Sequence, residues 1–438
     1  MFRKKDYSKP TIFFGLSSFQ ILAMFRRGLF YTYLSIYLRE FLGLSVTETT
    51  LFASLPMIVN SASQLFLWGI ISDKYQLRRT LVVIGEISAG FSTLLVFFAH
   101  RMVSNPLLAG WIIILGLSGV EFFWSMSNTG WSALISDLYE YETRQEIQGQ
   151  LSSVGGVGRI IGILIGGALY DGLTQLYPGW GFYEGPLFFI AALVMFISTI
   201  PMLFIPEGGV SEKKQNETTA SSSISKFKRT PHKQTRGVFI IFLIAMVFIN
   251  FGRNSLAVIF SPYMVLDSGF NLDYGELSIL LNFQSVGIII VGLLVGKLGS
   301  KIGDGLSTLV GAGMAIAALA LITFATFLPL IYVASALRGV GDVIVTASSY
   351  AFVSELIPPE RRAKGFSIFN TTFFLSWGLA GTLLTGPIID TQILSGVPEV
   401  LAYRYAFFAA TIMLVIGVII FSGLLMKVRN KRRKKDNL

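Results

Sequence analysis

The sequence predicts an all-α polytopic membrane protein with twelve transmembrane helices in two pseudo-symmetric six-helix bundles. Three observations predict it: a composition too apolar for water, a dozen apolar runs of spanning length, and a polar break that parts them six and six. Of 438 residues, 53% are hydrophobic and 14% charged, and the mean hydropathy is +0.65. Soluble domains carry about 25% charged residues. The apolar excess therefore has to face lipid.

A helix needs roughly 20 apolar residues to cross the hydrocarbon. Runs of that kind cover 12–38, 48–71, 80–99, 107–136, 146–170 and 185–205. After a gap come 237–265, 275–297, 305–327, 329–354, 364–390 and 402–426. Backbone hydrogen bonds must close within each span, so helix is the form expected. The runs are too long and too unalternating for barrel strands.

The gap differs in kind. Residues 206–236 are polar, basic and rich in Ser and Thr, and they read as a flexible cytoplasmic linker. The chain thus divides into an N-terminal six-helix bundle (1–205), this linker, and a C-terminal bundle with a basic tail (237–438). Lys and Arg set the orientation. With the N-terminus inside, inner segments carry 27 of the 35 basic residues, and outer segments carry Arg39, Arg101 and Arg404. Both termini are expected in the cytoplasm, in a multi-pass protein of the cell membrane. The basic N-terminus (Arg3, Lys4, Lys5, Lys9) runs into an apolar stretch long enough to span, without a clear cleavage site.

Composition also excludes. There is no cysteine, hence no disulfide, iron–sulfur cluster or thiolate metal site. The two histidines, His100 and His232, lack metal-ligand spacing and are expected at the surface. No cofactor, no metal and no catalytic residue is expected. The net charge of +10 lies between spans and in the tail, so it reads as topology and membrane anchoring rather than nucleic-acid binding. No phosphate-binding Gly-rich loop with Gly-Lys-Ser/Thr occurs, and neither histidine could serve a Ser/His/Asp set. A hydrolase or ATPase is not expected.

The halves repeat at an offset of roughly 220 residues. Phe25-Arg26-Arg27 matches Phe251-Gly252-Arg253, and Ser35 and Tyr37 match Ser261 and Tyr263. Ser136-Asp137 with Arg144 matches Ser354-Glu355 with Arg362, and Gly167 and Asp171 match Gly386 and Asp390. Parallel six-helix repeats are one transporter design, with the solute site between them near mid-membrane.

Twelve spans, a mid-chain linker and one loop motif make the chain resemble the major facilitator superfamily over essentially its whole length. That family carries Gly-x3-Asp-(Arg/Lys)-x-Gly-Arg-(Arg/Lys) between its second and third helices. Here Gly69, Asp73, Lys74 and Arg78 fit, while Gln76 and Leu77 replace a Gly and an Arg. In the second half Gly296, Lys301 and Gly303 survive, and Ser300 stands where the Asp would be. An Asp at a helix end can accept charge-assisted hydrogen bonds from a neighbouring helix. Gly69, Asp73, Lys74 and Arg78 are therefore expected to form a gating latch, with Asp137–Arg144 and Glu355–Arg362 as companion loops. The resemblance fixes no subfamily. Gly158 is followed by Arg159 where drug–proton antiporters carry a Gly-Pro pair. Ala23-Met24-Phe25-Arg26-Arg27 lacks the Glu-x-x-Glu-Arg of peptide transporters, and the sugar-porter signatures are missing.

Ionisable groups at membrane depth cost roughly 2.5–3.5 kcal/mol each and turn toward a cavity or toward one another. This chain has Arg26, Arg27, Arg159, Arg253 and Arg338 there, against Glu86, Glu121 and Asp342. Arg338 and Asp342 are four apart and can pair on one helix face. Glu121 and Arg159 could pair across helices. The resemblance implies that the first and seventh helices line the central cavity, where Arg26/Arg27 and Arg253 could clamp an anion. Tyr31 and Trp124 are the aromatic candidates, and Asn254 and Gln284 the polar ones. Glu121, Arg159, Arg338 and Asp342 are the candidates for proton coupling. The leading expectation is a monomeric secondary transporter of a small, anionic organic solute, coupled to protons or another ion. A polyspecific drug/proton antiporter and a non-transporting sensor are the alternatives.

Overall fold

The computed structural model describes residues 9–139, 141–208, 232–356 and 362–436. In the first half lie α1 (Lys9–Ile36), α2 (Val46–Ser63), α3 (Gly69–Tyr75), α4 (Arg78–Arg101) and α5 (Pro106–Leu138). They are followed by α6 (Tyr141–Tyr170), α7 (Trp180–Tyr183) and α8 (Pro186–Met202). The second half holds α9 (His232–Asn254), α10 (Leu256–Val265), α11 (Tyr274–Gly292), α12 (Val295–Ile302) and α13 (Asp304–Phe324). It ends in α14 (Leu328–Leu356), α15 (Arg362–Ala380), α16 (Gly386–Leu394) and α17 (Glu399–Asp436). The part of the linker at 209–231 lies outside the described residues. The tail does not stop at the span: α17 carries the helix through to Asp436.

Ten helical stretches among the described residues are long and apolar enough to cross a membrane. The first and sixth expected spans stand outside that set. α1 is 28 residues long but includes Arg26 and Arg27, and α8 is apolar but has only 17 residues. Exposed Phe14, Ile70, Phe91, Leu95, Leu193 and Ile419 belong to the outward belt that lipid would cover.

Local sequence sets several helix ends. Ser45 accepts from the Glu48 amide at 3.2 Å while Glu48 accepts from the Ser45 amide at 2.9 Å, a reciprocal cap that starts α2. Asp273 and Glu276 cap α11 in the same way. The seventh span breaks at Ser255, between α9 and α10, just past Arg253 and Asn254. Three wider turns with five-residue hydrogen bonds follow α1, α2 and α15, at Tyr37–Phe41, Gln64–Trp68 and Gly381–Thr385.

Helix pairings repeat between the halves. α1 packs on α6 and α8, α4 on α5 and α8, and α2 on α5; α9 packs on α15 and α17, α13 on α14 and α17, and α11 on α14. Each pairing of the first half has its counterpart in the second. Between halves, α6 meets α11, and α2 meets α15 and α16.

The end of the molecule bearing residues 42–45 and 395–398 is tied shut across the halves. Arg39 Nη2 lies 2.8 Å from Glu399 Oε1. The Asp390 carboxylate accepts from the amides of Val46 (2.9 Å) and Thr47 (2.8 Å), at the positive end of α2. Thr382, presented by its wide turn, bonds to Thr50 (3.0 Å) and to Ser54. On the other side Tyr33 bonds to Ser278, and the rings of Tyr170 and Tyr274 meet at a tilt with centroids 4.4 Å apart.

His100 corrects an expectation. It is 2% exposed, not at the surface. Its imidazole stacks on Phe188 (5.3 Å) and meets Phe97 (5.5 Å) and Tyr37 edge-on. An imidazole is a flat ring and fills an aromatic cluster as a phenyl would. The side chain of His232 lies outside the described residues.

α1 and α6 touch backbone to backbone. A Cβ at Gly158 would strike the Ile21 carbonyl, and one at Gly162 the Phe25 carbonyl. Small residues four apart make such a seam. Gly162→Ala is expected to force the helices apart at a cost of about 2 kcal/mol, read as a lower thermal unfolding midpoint in detergent. Gly423→Ala, where a methyl meets nothing within 4 Å, should leave the midpoint unchanged or higher.

Candidate functional site

Charged side chains from both halves gather in the middle of the helices. In the first half α1 and α5 bring Arg26 and Arg27 over the indole of Trp124, with guanidinium carbons 5.4 and 4.4 Å from the ring centroid. Glu121, one turn before Trp124, accepts from Tyr31 Oη (3.2 Å) and from Asn60 Nδ2 (2.7 Å), and Gln64 holds Asn60 at 2.6 Å. Glu86 on α4 accepts from Ser127 at 2.8 Å. A cavity of about 130 Å³ runs from Arg27 and Trp124 past Glu86 to Gln20 and Phe19, toward the end that carries the start of α1.

In the second half Arg253 is fully engaged. Its Nε donates to Asn250 (3.0 Å), and Nη1 donates to Asp342 Oδ1 (3.3 Å) and to the Asp342 carbonyl (3.2 Å). Thr346 accepts from Nη2 at 3.3 Å and, more weakly, from Nη1 at 3.4 Å. Gln284 Nε2 donates to the other Asp342 oxygen at 3.1 Å, and Asn254 donates to Ser376 at 2.9 Å. The Arg253 side chain is 3% exposed and that of Asp342 24%. A void of about 10 Å³, room for one water, lies between Arg253, Arg338, Asp342 and the alanines of α13.

Two expected pairings do not form. Asp342 pairs with Arg253 instead of Arg338. The fork of Arg253 arrives from α9 to face the carboxylate, while Arg338 turns its guanidinium onto Phe260 at 5.6 Å. Glu121 is bonded by Tyr31 and Asn60, with Arg27 and Arg26 as the cations acting on it, and Arg159 is not among them. Arg159 instead sits among the charges of Arg338, Asp342 and Arg27.

The gating residues are only partly described. The side chains of Asp73, Arg144, Glu355 and Arg362 lie outside the described residues. Arg78 is described: its Nε lies 3.3 Å from Asp137, and it also bonds to Ser72. Beside it Arg79 pairs with Glu207 at 3.1 Å. Lys74 is exposed, 5.4 Å from the Tyr75 ring, and Gly69 backs onto the Gln64 carbonyl. Sequence reasoning missed Asn60 and Thr346. Asn60 was visible as an amide four residues before Gln64 in an apolar run.

The family description Major Facilitator Superfamily matches residues 16–382 and 243–438. The chain belongs to the major facilitator superfamily. It is 23% identical over 312 residues to Multidrug resistance protein 2 of Bacillus subtilis (strain 168), covering 69% of this chain and 68% of that protein. Its fold is that of solved superfamily structures. A bacterial homologue of the human lysosomal transporter Spinster, inward-facing and unoccupied, superposes with a TM-score of 0.67 at 16% identity, over 95% of this chain and 97% of that one. The tetrameric PepTSo2 structure gives 0.73 at 12% identity (97% and 99%), and the nucleoside transporter NupG 0.65 at 15% (94% and 99%). The chain is thus a transporter-family membrane protein and not an enzyme.

Buried ion pairs cost most when one partner is removed. Asp342→Asn is expected to lower stability by about 3 kcal/mol, because Arg253 keeps its charge without the carboxylate. Unfolding of the double variant Arg253→Met/Asp342→Leu should restore most of that loss. Equal losses in both would place the pair's contribution elsewhere.

Proposed function

We propose that this superfamily member is a secondary active transporter that moves a small organic anion across the cell membrane by alternating access, driven by protons. The observation that carries the reading is the charge imbalance at mid-membrane. Five arginines stand there against three carboxylates. A guanidinium does not shed its proton, so the surplus needs an anion from outside the chain.

In this reading α1 and α8 join the ten apolar spans to make twelve, in two bundles of six, as one functional monomer. The termini lie in the cytoplasm. The ties at Arg39–Glu399 and Asp390–α2 then close the outer end, and the cavity below Arg27 opens inward. Arg26, Arg27, Tyr31 and Trp124 face the solute from one half, with Asn254 and Gln284 bracing the other. Arg78–Asp137 and the Asp73 loop work the inner gate. Glu121 and Asp342 take up the proton. Each carboxylate is held by neutral donors or a single Arg, so an exchange of partners between states would load and release it.

A second reading has its own support. The first-half cavity pairs Trp124, Trp131 and Phe19 with Glu86, a lining suited to a lipophilic cation, and the Bacillus relative is named for multidrug resistance. Substrate competition separates the two. Small organic anions should inhibit transport under the first reading, and bulky lipophilic cations under the second.

Coupling is tested in reconstituted vesicles. An imposed proton gradient should accelerate solute flux, and Glu121→Gln should cut that acceleration at least tenfold while solute exchange without a gradient persists. Gradient-driven flux unchanged in Glu121→Gln would remove this residue from coupling.

A further inference from the structure

Counting partners sharpens the charge imbalance. Arg26 and Arg27 share the first half with Glu86 and Glu121, whose charges act on them and which they in turn act on. Arg253 holds Asp342. By nearest charge, three of the five arginines are thereby set against the three carboxylates, Arg253 by a direct ion pair and Arg26 and Arg27 by proximity. Two guanidiniums remain, Arg159 and Arg338. Neither forms an ion pair among the described residues, and Arg338 Nε is buried with no hydrogen-bond partner there.

Those two stand at one depth, on opposite sides of α11. Asn282 on α11 donates to the carbonyl of Ile160, the residue after Arg159, at 3.4 Å. Gly339, the residue after Arg338, lies against the carbonyl of Gln284. Asn282 and Gln284 are two residues apart, about 3 Å along the helix axis. Arg338 is the like charge that acts most on Arg159, with Arg27 also acting on it. Arg27 is brought level by another contact, since Gly28 packs on the Arg159 carbonyl. Each of the two arginines is half-buried, and Arg338 lines the small void beside Arg253 and Asp342.

We propose that Arg159 from the first half and Arg338 from the second together bind a doubly charged anionic group of the transported solute, a phosphate monoester or a short dicarboxylate. This rests on the reading of the chain as an anion carrier, and adds which guanidiniums hold the anion and how many charges it brings. Two like charges at one level, close enough to act on each other, repel at low dielectric. A dianion between them cancels both, and each guanidinium can offer a bidentate fork to carboxylate or phosphate oxygens. Arg253, which the internal repeat placed opposite Arg27, is a structural residue in this scheme because all its nitrogens are already bonded. The site spans the two halves, so binding draws them together at the level where α6, α11 and α14 meet.

The test uses purified full-length protein and inorganic phosphate at pH 8, succinate and acetate, with ionic strength held constant by chloride. Bound ligand raises the unfolding midpoint in proportion to its concentration over Kd. Wild type should be stabilised by phosphate or succinate, or both, at concentrations where acetate has no effect. Phosphate alone would point to a phosphorylated solute, succinate alone to a dicarboxylate. Arg159→Gln and Arg338→Gln should each raise the apparent Kd at least tenfold. Where a Gln variant does not fold, the Lys variant decides, since it keeps the charge and loses the fork; an unchanged Kd there would overturn the proposal. Stabilisation lost in Arg253→Gln but retained in Arg159→Gln and Arg338→Gln would overturn this site and leave the anion carrier standing. Acetate as effective as the dianions would overturn the charge count. No response to any anion would overturn both this site and the anion reading.

Discussion

A guanidinium cannot be neutralised by losing its proton, and that constraint organises the interior. Each arginine at membrane depth must find an aromatic face, an acceptor or a counter-charge. The chain supplies all three kinds. Trp124 lies under Arg26 and Arg27, Asp342 and Thr346 hold Arg253, and Phe260 lies beside Arg338. The carboxylate that acts on Arg159 and Arg338, Asp342, is already paired with Arg253. A structural protein would gain nothing from retaining that surplus. A carrier whose cargo is negative needs it, because the cargo completes the electrostatics only while it is bound.

The contacts that surround this charged level are made for movement. Toward the closed end the halves meet through short polar and small side chains: Ser54 and Thr50 against Thr382, Gly378 against Ser54, Asp390 on the amides of α2. Hydroxyls, backbone groups and one ion pair at Arg39–Glu399 can be exchanged for water with little loss, since each is worth about 1 kcal/mol net. Within each half the packing is of another kind. The Phe30, Phe182, Phe188 and His100 rings lock together, and α1 lies on α6 without room for a methyl. Firm halves joined by a soft seam are what the proposed alternating access would use.

The sequence announced the fold because hydrophobicity is a local property. Spans, linker and repeat are each written in consecutive residues, and the helix pairings that recur between halves follow the repeat. The two atypical spans were legible only in outline: Arg26 and Arg27 dilute α1, and α8 ends at Met202, short of the expected 205. The identity of the intramembrane charges was equally plain, since an Arg in an apolar run cannot be overlooked. Their partners were not. Spacing along one helix favoured Arg338–Asp342, but the rotation of α9 against α14 decides which guanidinium reaches the carboxylate, and it delivers Arg253. Asn60 became a partner of Glu121 through the packing of α2 on α5. Burial of His100 depended on rings from the wide turn after α1, from α4 and from α8 converging. Such contacts lie between elements, where a pattern read along one chain has no register.

The central claim is that uncompensated positive charge from both halves receives the cargo. Selenate, a dianion that scatters anomalously, reports its own position in a crystal of the full chain. The account predicts an anomalous peak between the guanidiniums of Arg159 and Arg338, absent from a crystal of Arg338→Gln. A peak lodged at Arg253 and Asp342, or selenate bound only at the molecule's outer surface, would contradict it.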